Sequence, residues 1–519
     1  MLVYGDARRT LRTADLLDVI ATGGPHAFLD AAGLAQGLID DEFQARGEDE
    51  LTPLHRAAMD LLLALANGDP AAAALAALRA LPLPDQVNVT TPEGYAFYAV
   101  YPEAYRLAAR SIAWPSPPLV IGLRSIGTGL AAVVAAETGG SALTLRPGGH
   151  PFAREVRPSP ALRARLAAHQ GPFAIVDEGP GLSGSSFGSV ADLLEDLGVT
   201  ADRIVFLPSH AGDLGPEASP RHRARWSVAR RAVATLDDLL AAEPIAAWFQ
   251  DLVGEPARVE DLSGGAWRAL VPRQPPANPR MERRKFRLAS PTGTWVARFA
   301  GLGRTGEAKL GRARALRAEG FSAEPLALRR GFLLQRWEEG SPLRAADREA
   351  FLAHLARYLA FRARAFPAEP DEGADGGKLC EMARRNAGAD LAPPPLGPRV
   401  HVDGKLQPWE WLRRPDGAFV KLDALDHSCA HDLIGCQPIA WDVAGAAAEF
   451  DLAPAEVDAL VRGVSRHGGP AVEPATLAFF DVCYAAFQLG VWTMAEPNEG
   501  ARAQRDRYAR RLAALMAEA

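Results

Sequence analysis

Residues 174–187 read AIVDEGPGLSGSSF: an apolar run short enough for a buried strand, two adjacent acids, a Gly/Pro spacer, and a Gly/Ser turn leading into SVADLLEDLG. Two carboxylates at a strand's end grip vicinal hydroxyls or Mg²⁺, while a Gly/Ser turn that opens a helix offers backbone N–H groups and hydroxyls to a phosphate. A sugar phosphate satisfies both halves at once. Outward from this stretch, PPLVIGLRS, TGLAAVVAAET, SALTLR and RIVFLPS alternate apolar strands with helices, which predicts an α/β fold with a parallel sheet. PPLVIGLRSIGTGLAAVVAAE repeats the strand, polar turn and helix, with Arg124, Ser125, Ile126 and Gly127 at the turn and Thr128 opening the helix. Between the two turns, LTLRPGGHPFAREVRPSP gathers Arg146, His150, Arg154 and Arg157 in a Gly/Pro-rich connection. Both turns fall at the carboxyl ends of parallel strands, where open α/β sheets bind ligands.

These motifs, over roughly 87–210, resemble the ribose-phosphate signature of type I phosphoribosyltransferases. The resemblance implies that Asp177 and Glu178 hold ribose hydroxyls and that Ser183, Gly184, Ser185 and Ser186 hold the 5-phosphate. It implies that Arg124, Ser125, Ile126, Gly127 and Thr128 form a pyrophosphate loop, and that Arg146 and Arg154 act from a mobile loop. Phosphoribosyl pyrophosphate (PRPP) and Mg²⁺ would be the ligands, with a base-like acceptor under a hood built from the amino-terminal portion; Tyr95, Tyr98, Tyr101 and Tyr105 could stack on a base, although aromatics at such spacing are more often core. One departure stands out: the family has three residues between the acids and the Thr/Ser-Gly step, whereas this chain has four, Gly179, Pro180, Gly181 and Leu182. Two glycines in the spacer can absorb the extra residue.

Beyond a charged helical stretch the pattern changes. RVEDLSGGAWRAL, ERRKFRLASPTGTWVARFAG and EAKLGRARALRAEG give strand, Gly turn, strand, hairpin, strand and helix. With GFLLQRWEEGSPL, they resemble the small lobe and hinge of aminoglycoside phosphotransferase-like kinases. The resemblance implies ATP as co-substrate, with Arg298 in WVARF as the strand cation at the phosphates and Glu307 as its helix partner. In RVHVDGKLQPWEWLRRPDGAFVKLDALDH, His401-Val402-Asp403 resembles the catalytic loop, which makes Asp403 the hydroxyl-orienting base. Asp423 falls at the metal-binding aspartate, and Asp442 in IAWDVAGAAAEF at the aspartate that braces the loop. Where the family has a second metal ligand, an Asn five residues after the catalytic Asp, this chain has Pro408; Gln407 is the neighbouring amide. DHSCAHDLIGC holds His427, Cys429, His431 and Cys436, at spacings that match no usual zinc pattern.

The fold class expected is therefore a type I phosphoribosyltransferase sheet with a helical N-terminal region, followed by a bilobal kinase-like α+β domain. The boundaries are 1–86 for the helical region, 87–220 for the sheet domain, 221–254 for a helical linker and 255–519 for the kinase-like domain. With 57 Lys+Arg against 63 Asp+Glu, a net charge of −6 is that of neither a polybasic nucleic-acid binder nor an acidic tail protein. No run of about 18 uncharged apolar residues predicts a membrane span, and four cysteines in 519 residues fit a reducing cytoplasm. Small molecules are the expected partners, and oligomerisation is compatible with the pattern. Lysine stands only at 285, 309, 378, 405 and 421. Any cation needed in the first 284 residues must therefore be arginine, a planar fork that stays charged.

Two readings follow. One is a bifunctional enzyme, transferring a phosphoribosyl group in its first half and phosphorylating a small metabolite in its second. The other is a regulatory protein that senses PRPP or a nucleotide, with a kinase-like lobe that does not transfer phosphate.

Overall fold

The computed structural model describes every residue except Asp6, Pro272, Arg273, Ala430 and Ala519, and every side chain among the rest except those of Arg280, Cys429 and Glu518. The chain divides into two compact units: Arg8–Ile245, and Ala246–Ala519 together with Met1–Ala7.

The first unit is organised by a five-stranded, all-parallel sheet. In chain order its strand segments are β1 (Arg8–Arg12), β2 (Gln86–Thr90), β3 (Leu119–Leu123), β4 (Ser141–Leu145), β5 (Gly148–His150), β6 (Ala153–Glu155), β7 (Phe173–Val176), β8 (Ile204–Leu207) and β9 (Arg230–Arg231). The sheet runs β4–β3–β7–β8–β9, while β1 pairs with β2 and β5 with β6 as separate antiparallel ribbons. Helices cover both faces of a parallel sheet, so its strands are apolar throughout rather than alternating; every residue of β3, β7 and β8 is buried. The helix Gly127–Thr138 is apolar on all sides for a related reason. It leaves β3 and packs beneath helices Ala27–Arg46 and Pro53–Asn67, with the Gly129 position close against Ala32 and Phe28.

Two boundaries differ from the sequence reading. The N-terminal helices share one unit with the sheet, because β1 closes onto β2 and helix Ala27–Arg46 packs on Gly127–Thr138. The stretch 221–254 is not a helical linker. Helix Pro220–Val228 and the parallel strand β9 complete the first unit, and Gln250–Val253 belongs to the second.

The second unit begins with an antiparallel sheet of β10 (Arg258–Asp261), β11 (Lys285–Ser290), β12 (Gly293–Phe299), β13 (Pro325–Arg329) and β14 (Phe332–Arg336), in the order β10–β11–β12–β14–β13. The expected Gly turn lies between β10 and β11, where Gly264 and Gly265 take φ of +59° and +86°. Helix Gly303–Ala318 follows β12 and packs on β13 and β14. A small sheet of β15 (Ser341–Pro342), β16 (Trp411–Arg413) and β17 (Phe419–Lys421) then precedes a helical remainder. Among the described residues Pro474–Met494 is the one helix long and apolar enough to cross a membrane, and two-thirds of it is buried in this unit's core beside Gly376–Ala387, Ala440–Glu449 and Glu499–Glu518. Val3 is part of the same core; Asn386 bonds both polar groups of the Leu2 backbone, and Leu433 N–H donates to the Val3 carbonyl.

Candidate functional site

In the first unit the two turns singled out in the sequence meet where the strand order reverses. The chain passes from β3 outward to β4 and then returns to the other side of β3 as β7. Loops leaving β3 and β7 therefore diverge at the strands' carboxyl ends, the position at which doubly wound sheets bind ligands. Close backbone approach requires two glycines here. A Cβ on Gly122 would stand 2.1 Å from the Gly127 carbonyl oxygen, and one on Gly127 would stand 2.6 Å from that of Val176.

Asp177 and Glu178 end β7. Burial pushes the Asp177 carboxyl up to about 7, with Glu93 adding to the rise and Arg146 opposing it. Burial, then Glu93 and Asp177, push Glu178 well above the usual carboxylate range. Gly94 N–H donates to Glu178 Oε2 and the Tyr105 hydroxyl donates to the Asp177 carbonyl at 2.7 Å, but among the described residues neither carboxylate forms an ion pair. Two half-buried acids that form no ion pair among the described residues suit a cation or a set of hydroxyls. The Tyr95 hydroxyl and Thr128 Oγ1 are likewise buried without a hydrogen-bond partner. Of the four tyrosines considered for a hood, Tyr95, Tyr101 and Tyr105 are core and only Tyr98 is exposed.

The four-residue spacer is absorbed as its glycines allow, with Gly181 at φ +61° and Gly184 at +62°. Gly184 N–H donates to the Pro180 carbonyl at 3.0 Å and then precedes helix Ser185–Asp196. Ser183 and Ser185 donate to the Pro151 carbonyl at 3.3 and 3.0 Å, so the Gly/Ser turn meets the β5–β6 hairpin that carries Arg154. Ser186 lies in the first turn of the helix.

The structure corrects the roles of two arginines. Arg124 was expected at a pyrophosphate, but its guanidinium is fully buried against Asp40 and Asp49, at 2.8 Å from Asp40 through Nε. Arg146 also bonds Asp40, at 2.8 Å through Nε, and reaches the Arg124 carbonyl at 2.8 Å. Both cations are committed to carboxylates from the N-terminal region, which fixes the backbone after β3 and β4. Arg154 is the partly exposed cation on the hairpin and bonds the Gly149 carbonyl of its own ribbon at 3.3 Å. Sequence reasoning missed Asp40 and Asp49 because their partners lie more than 70 residues away.

In the second unit Arg298 projects from β12 and donates to Asp423 Oδ1 at 2.5 Å, with Asp426 Oδ2 3.7 Å away. Glu307, expected as its partner, is exposed. Its helix instead turns Lys309 inward, fully buried, to donate to Asp426 Oδ1 at 2.6 Å. Asp403 is also fully buried. Its Oδ2 accepts from the Tyr358 hydroxyl, and Lys421 Nζ and Arg362 Nη1 lie 3.5 and 3.9 Å from its oxygens. Asp442 accepts the N–H groups of Asp403 and Gly404 at 2.7 and 2.8 Å, the bracing contact expected of it. Lys421 Nζ donates to Glu410 and to the Asp423 carbonyl, and Lys405 Nζ lies 3.1 Å from Glu410. Burial alone would raise Asp423; Arg298, then His427, Lys421 and Lys405, outweigh it and hold the carboxyl well below its ordinary range. Burial would likewise raise Asp426, but Lys309 and then Arg298 outweigh it and lower the carboxyl to about 2.

A Mg²⁺ ion fits the two units differently. In the first, Asp177 and Glu178 are unpaired acids. In the second, Gln407 Oε1 is buried without a hydrogen-bond partner and suits a cation, but it is one neutral oxygen beside a loop that continues into Pro408. The carboxylates such an ion needs, Asp423 and Asp426, already carry Arg298 and Lys309. Asp423 and Asp426 therefore offer the metal no free carboxylate pair; Asp403, Glu410 and His427 bring ligand atoms within 4.8 Å of one another, but Lys421 lies on both of those carboxylates.

Outside this cluster, Cys436 Sγ lies 3.3 Å from His401 Nδ1, and His401 Nε2 lies 3.6 Å from Glu372. This grouping differs from the sequence stretch weighed for zinc, whose Cys429 side chain lies outside the described residues.

No protein-family model matches the chain, and no curated protein sequence matches it. Among solved structures the chain is similar to a choline kinase from Streptococcus pneumoniae (13% identity, TM-score 0.34, covering 53% of this chain and 99% of that one). It is also similar to a choline/ethanolamine kinase family protein from Mesorhizobium loti (17%, 0.35, 53% and 92%), and to a putative aminoglycoside phosphotransferase from Ralstonia eutropha (15%, 0.36, 52% and 95%). Likenesses of this size assign no activity to the chain.

Proposed function

We propose that the chain is an enzyme of small phosphorylated metabolites with two sites. The first unit transfers the phosphoribosyl group of PRPP to a base-like acceptor. The bond from the anomeric carbon to pyrophosphate breaks, pyrophosphate leaves with its electron pair, and the acceptor nitrogen forms the new bond. One observation carries this reading: an unpaired acid pair, Asp177 and Glu178, beside a Gly/Ser turn and a helix N-terminus at the carboxyl ends of β3 and β7. Asp177 and Glu178 hold the ribose hydroxyls, the first turn of helix Ser185–Asp196 receives the 5-phosphate, and Arg154 approaches the leaving group from the hairpin. Mg²⁺, when bound, would neutralise charge on the leaving pyrophosphate. The test is pyrophosphate release from PRPP with Mg²⁺ and pooled bases. Release that persists in Asp177→Ala sinks the reading.

For the second unit the reading is a nucleotide site for phosphorylation of a small metabolite, supported by Arg298 and Asp423 meeting at the end of β12 and by the Asp442 brace under Asp403. ATP consumption that survives Asp423→Ala counts against it. The burial of Asp403 beneath Tyr358 and Lys421 favours a second reading, a lobe that binds nucleotide without transferring phosphate. Nucleotide binding with no phosphorylated product from any offered metabolite would select it.

A further inference from the structure

The acidic cluster of the second unit is filled by side-chain cations from several elements. Asp403, Glu410, Asp423 and Asp426 face Arg298 from β12, Lys309 from helix Gly303–Ala318, Arg362 from helix Arg348–Ala365, Lys421 from β17 and Lys405 from the loop after Asp403. With Asp442 beneath Asp403 and Glu282 facing Lys405, the carboxylates around this cluster are at least as many as these cations. The pairing is close and mostly dry: Lys309, Lys421 and Asp403 are fully buried, and Arg362 is nearly so. Asp423 and Asp426 are nonetheless each held by a cation, so a divalent ion placed on them would stand directly against Arg298 and Lys309. At contact distances and in low dielectric that repulsion is strong. The position where a neutral amide would complete a metal site is Pro408, which has neither an N–H nor a side-chain oxygen.

We propose that this site handles its phosphate ligand without a divalent cation, with Arg298, Lys309, Lys405 and Lys421 supplying the charge that a metal supplies elsewhere. The proposal deepens the nucleotide reading of the second unit and rests on it for the identity of the ligand. Lys405 is the cation placed to serve the phosphates. Its side chain is one-third exposed, and it stands two residues after Asp403. Arg298 and Lys309 hold the carboxylates that would otherwise repel an anion. Such an arrangement tolerates chelators, and its geometry is fixed before any ligand arrives.

Two measurements on the full chain test this. The first is Mn²⁺ titration followed by electron paramagnetic resonance, with Asp423→Asn as the control that separates this cluster from Asp177 and Glu178. The wild-type protein is expected to hold no Mn²⁺ that Asp423→Asn removes; an Asp423-dependent ion overturns the proposal. Arg298→Gln, checked for folding by circular dichroism, is expected to gain Mn²⁺ affinity by about tenfold or more because it frees Asp423. If Arg298→Gln does not fold, Lys405→Met serves the same comparison. Folded variants that gain no affinity also count against the proposal.

The second measurement is ADP binding by calorimetry in excess chelator and in Mg²⁺. Dissociation constants within about threefold of one another are expected, and loss of binding in chelator overturns the proposal. Absence of ADP binding in both conditions defeats the nucleotide reading of the second unit instead, and the Mn²⁺ titration then decides the charge argument by itself.

Discussion

Asp177 and Asp423 both follow a short buried strand, β7 or β17, and both face a cluster of carboxylates, yet their chemistry diverges. Burial lifts Asp177 to about 7, and Arg146, which forms no ion pair with it among the described residues, offsets that only in part. Arg298 at 2.5 Å holds Asp423 well below its ordinary range. Fixed counter-charge, rather than the presence of acids, therefore separates a site open to an incoming cation from one already complete. The lysines follow the same division. Of five in the chain, Lys285, Lys309, Lys405 and Lys421 all pair with carboxylates of the second unit.

Removing one of those lysines breaks the comparison most severely. Lys421→Met strips a fully buried cation from Asp403 and Glu410 and is expected to destabilise the second unit by about 3–5 kcal/mol, read as a shift in its denaturant midpoint. No change in that midpoint would show the network to be energetically idle. In the first unit the converse substitution, Asp177→Asn, should abolish binding of PRPP while raising thermal stability above neutral pH, because it removes a buried charge that the fold disfavours. Melting curves at pH 8 and ligand titrations check both halves, and a loss of stability there would mean that Asp177 is paired after all.

A smaller effect sharpens the contrast through pH. The folded pKa of Asp177, about 7, lies above the unfolded value near 4, so its contribution to stability is fully present below the unfolded value and is lost as pH rises towards 7. Cation binding at the same carboxylate runs the other way. Below pH 7 a proton competes, and Mg²⁺-dependent ligand affinity of the first unit should fall by up to about tenfold per unit. In the second unit Asp423 and Asp426 stay ionised from pH 5 to 8, so a pH dependence of ligand binding there should instead follow Asp442, which burial and Asp403 raise to about 7. The mildest test concerns the N-terminal segment: Asn386→Ala removes its bonds to the Leu2 backbone and should cost about 1–2 kcal/mol, also read by denaturant midpoint.

Local order was legible in the sequence. The strand, acid pair and Gly turn at 173–187, the Gly turn after β10 and the β11–β12 hairpin all follow from short-range patterns, which depend on neighbours in the chain. What was not legible depends on partners far away. Arg124 and Arg146 had the spacing of anion ligands, and only the fold brings Asp40 and Asp49 to them. Glu307 had the sign expected of a kinase helix, yet Lys309, two residues on, faces inward: a shift of that size on a helix turns to another face. Lysine scarcity was the one available signal for that position. A residue type so nearly excluded from the chain yet kept at 309 and 421 coincides there with a fully buried ammonium.

Met1–Ala7 belongs to the unit that otherwise starts at Ala246. In connectivity the first unit is therefore an insertion within the second. Val3 is made before the first unit, whereas the core that buries it, including Phe480 and Tyr484, is synthesised more than 470 residues later. The first unit can finish folding while the second still waits for its final helices. The segment around Val3 thus stays without its core for as long as the first unit is being made.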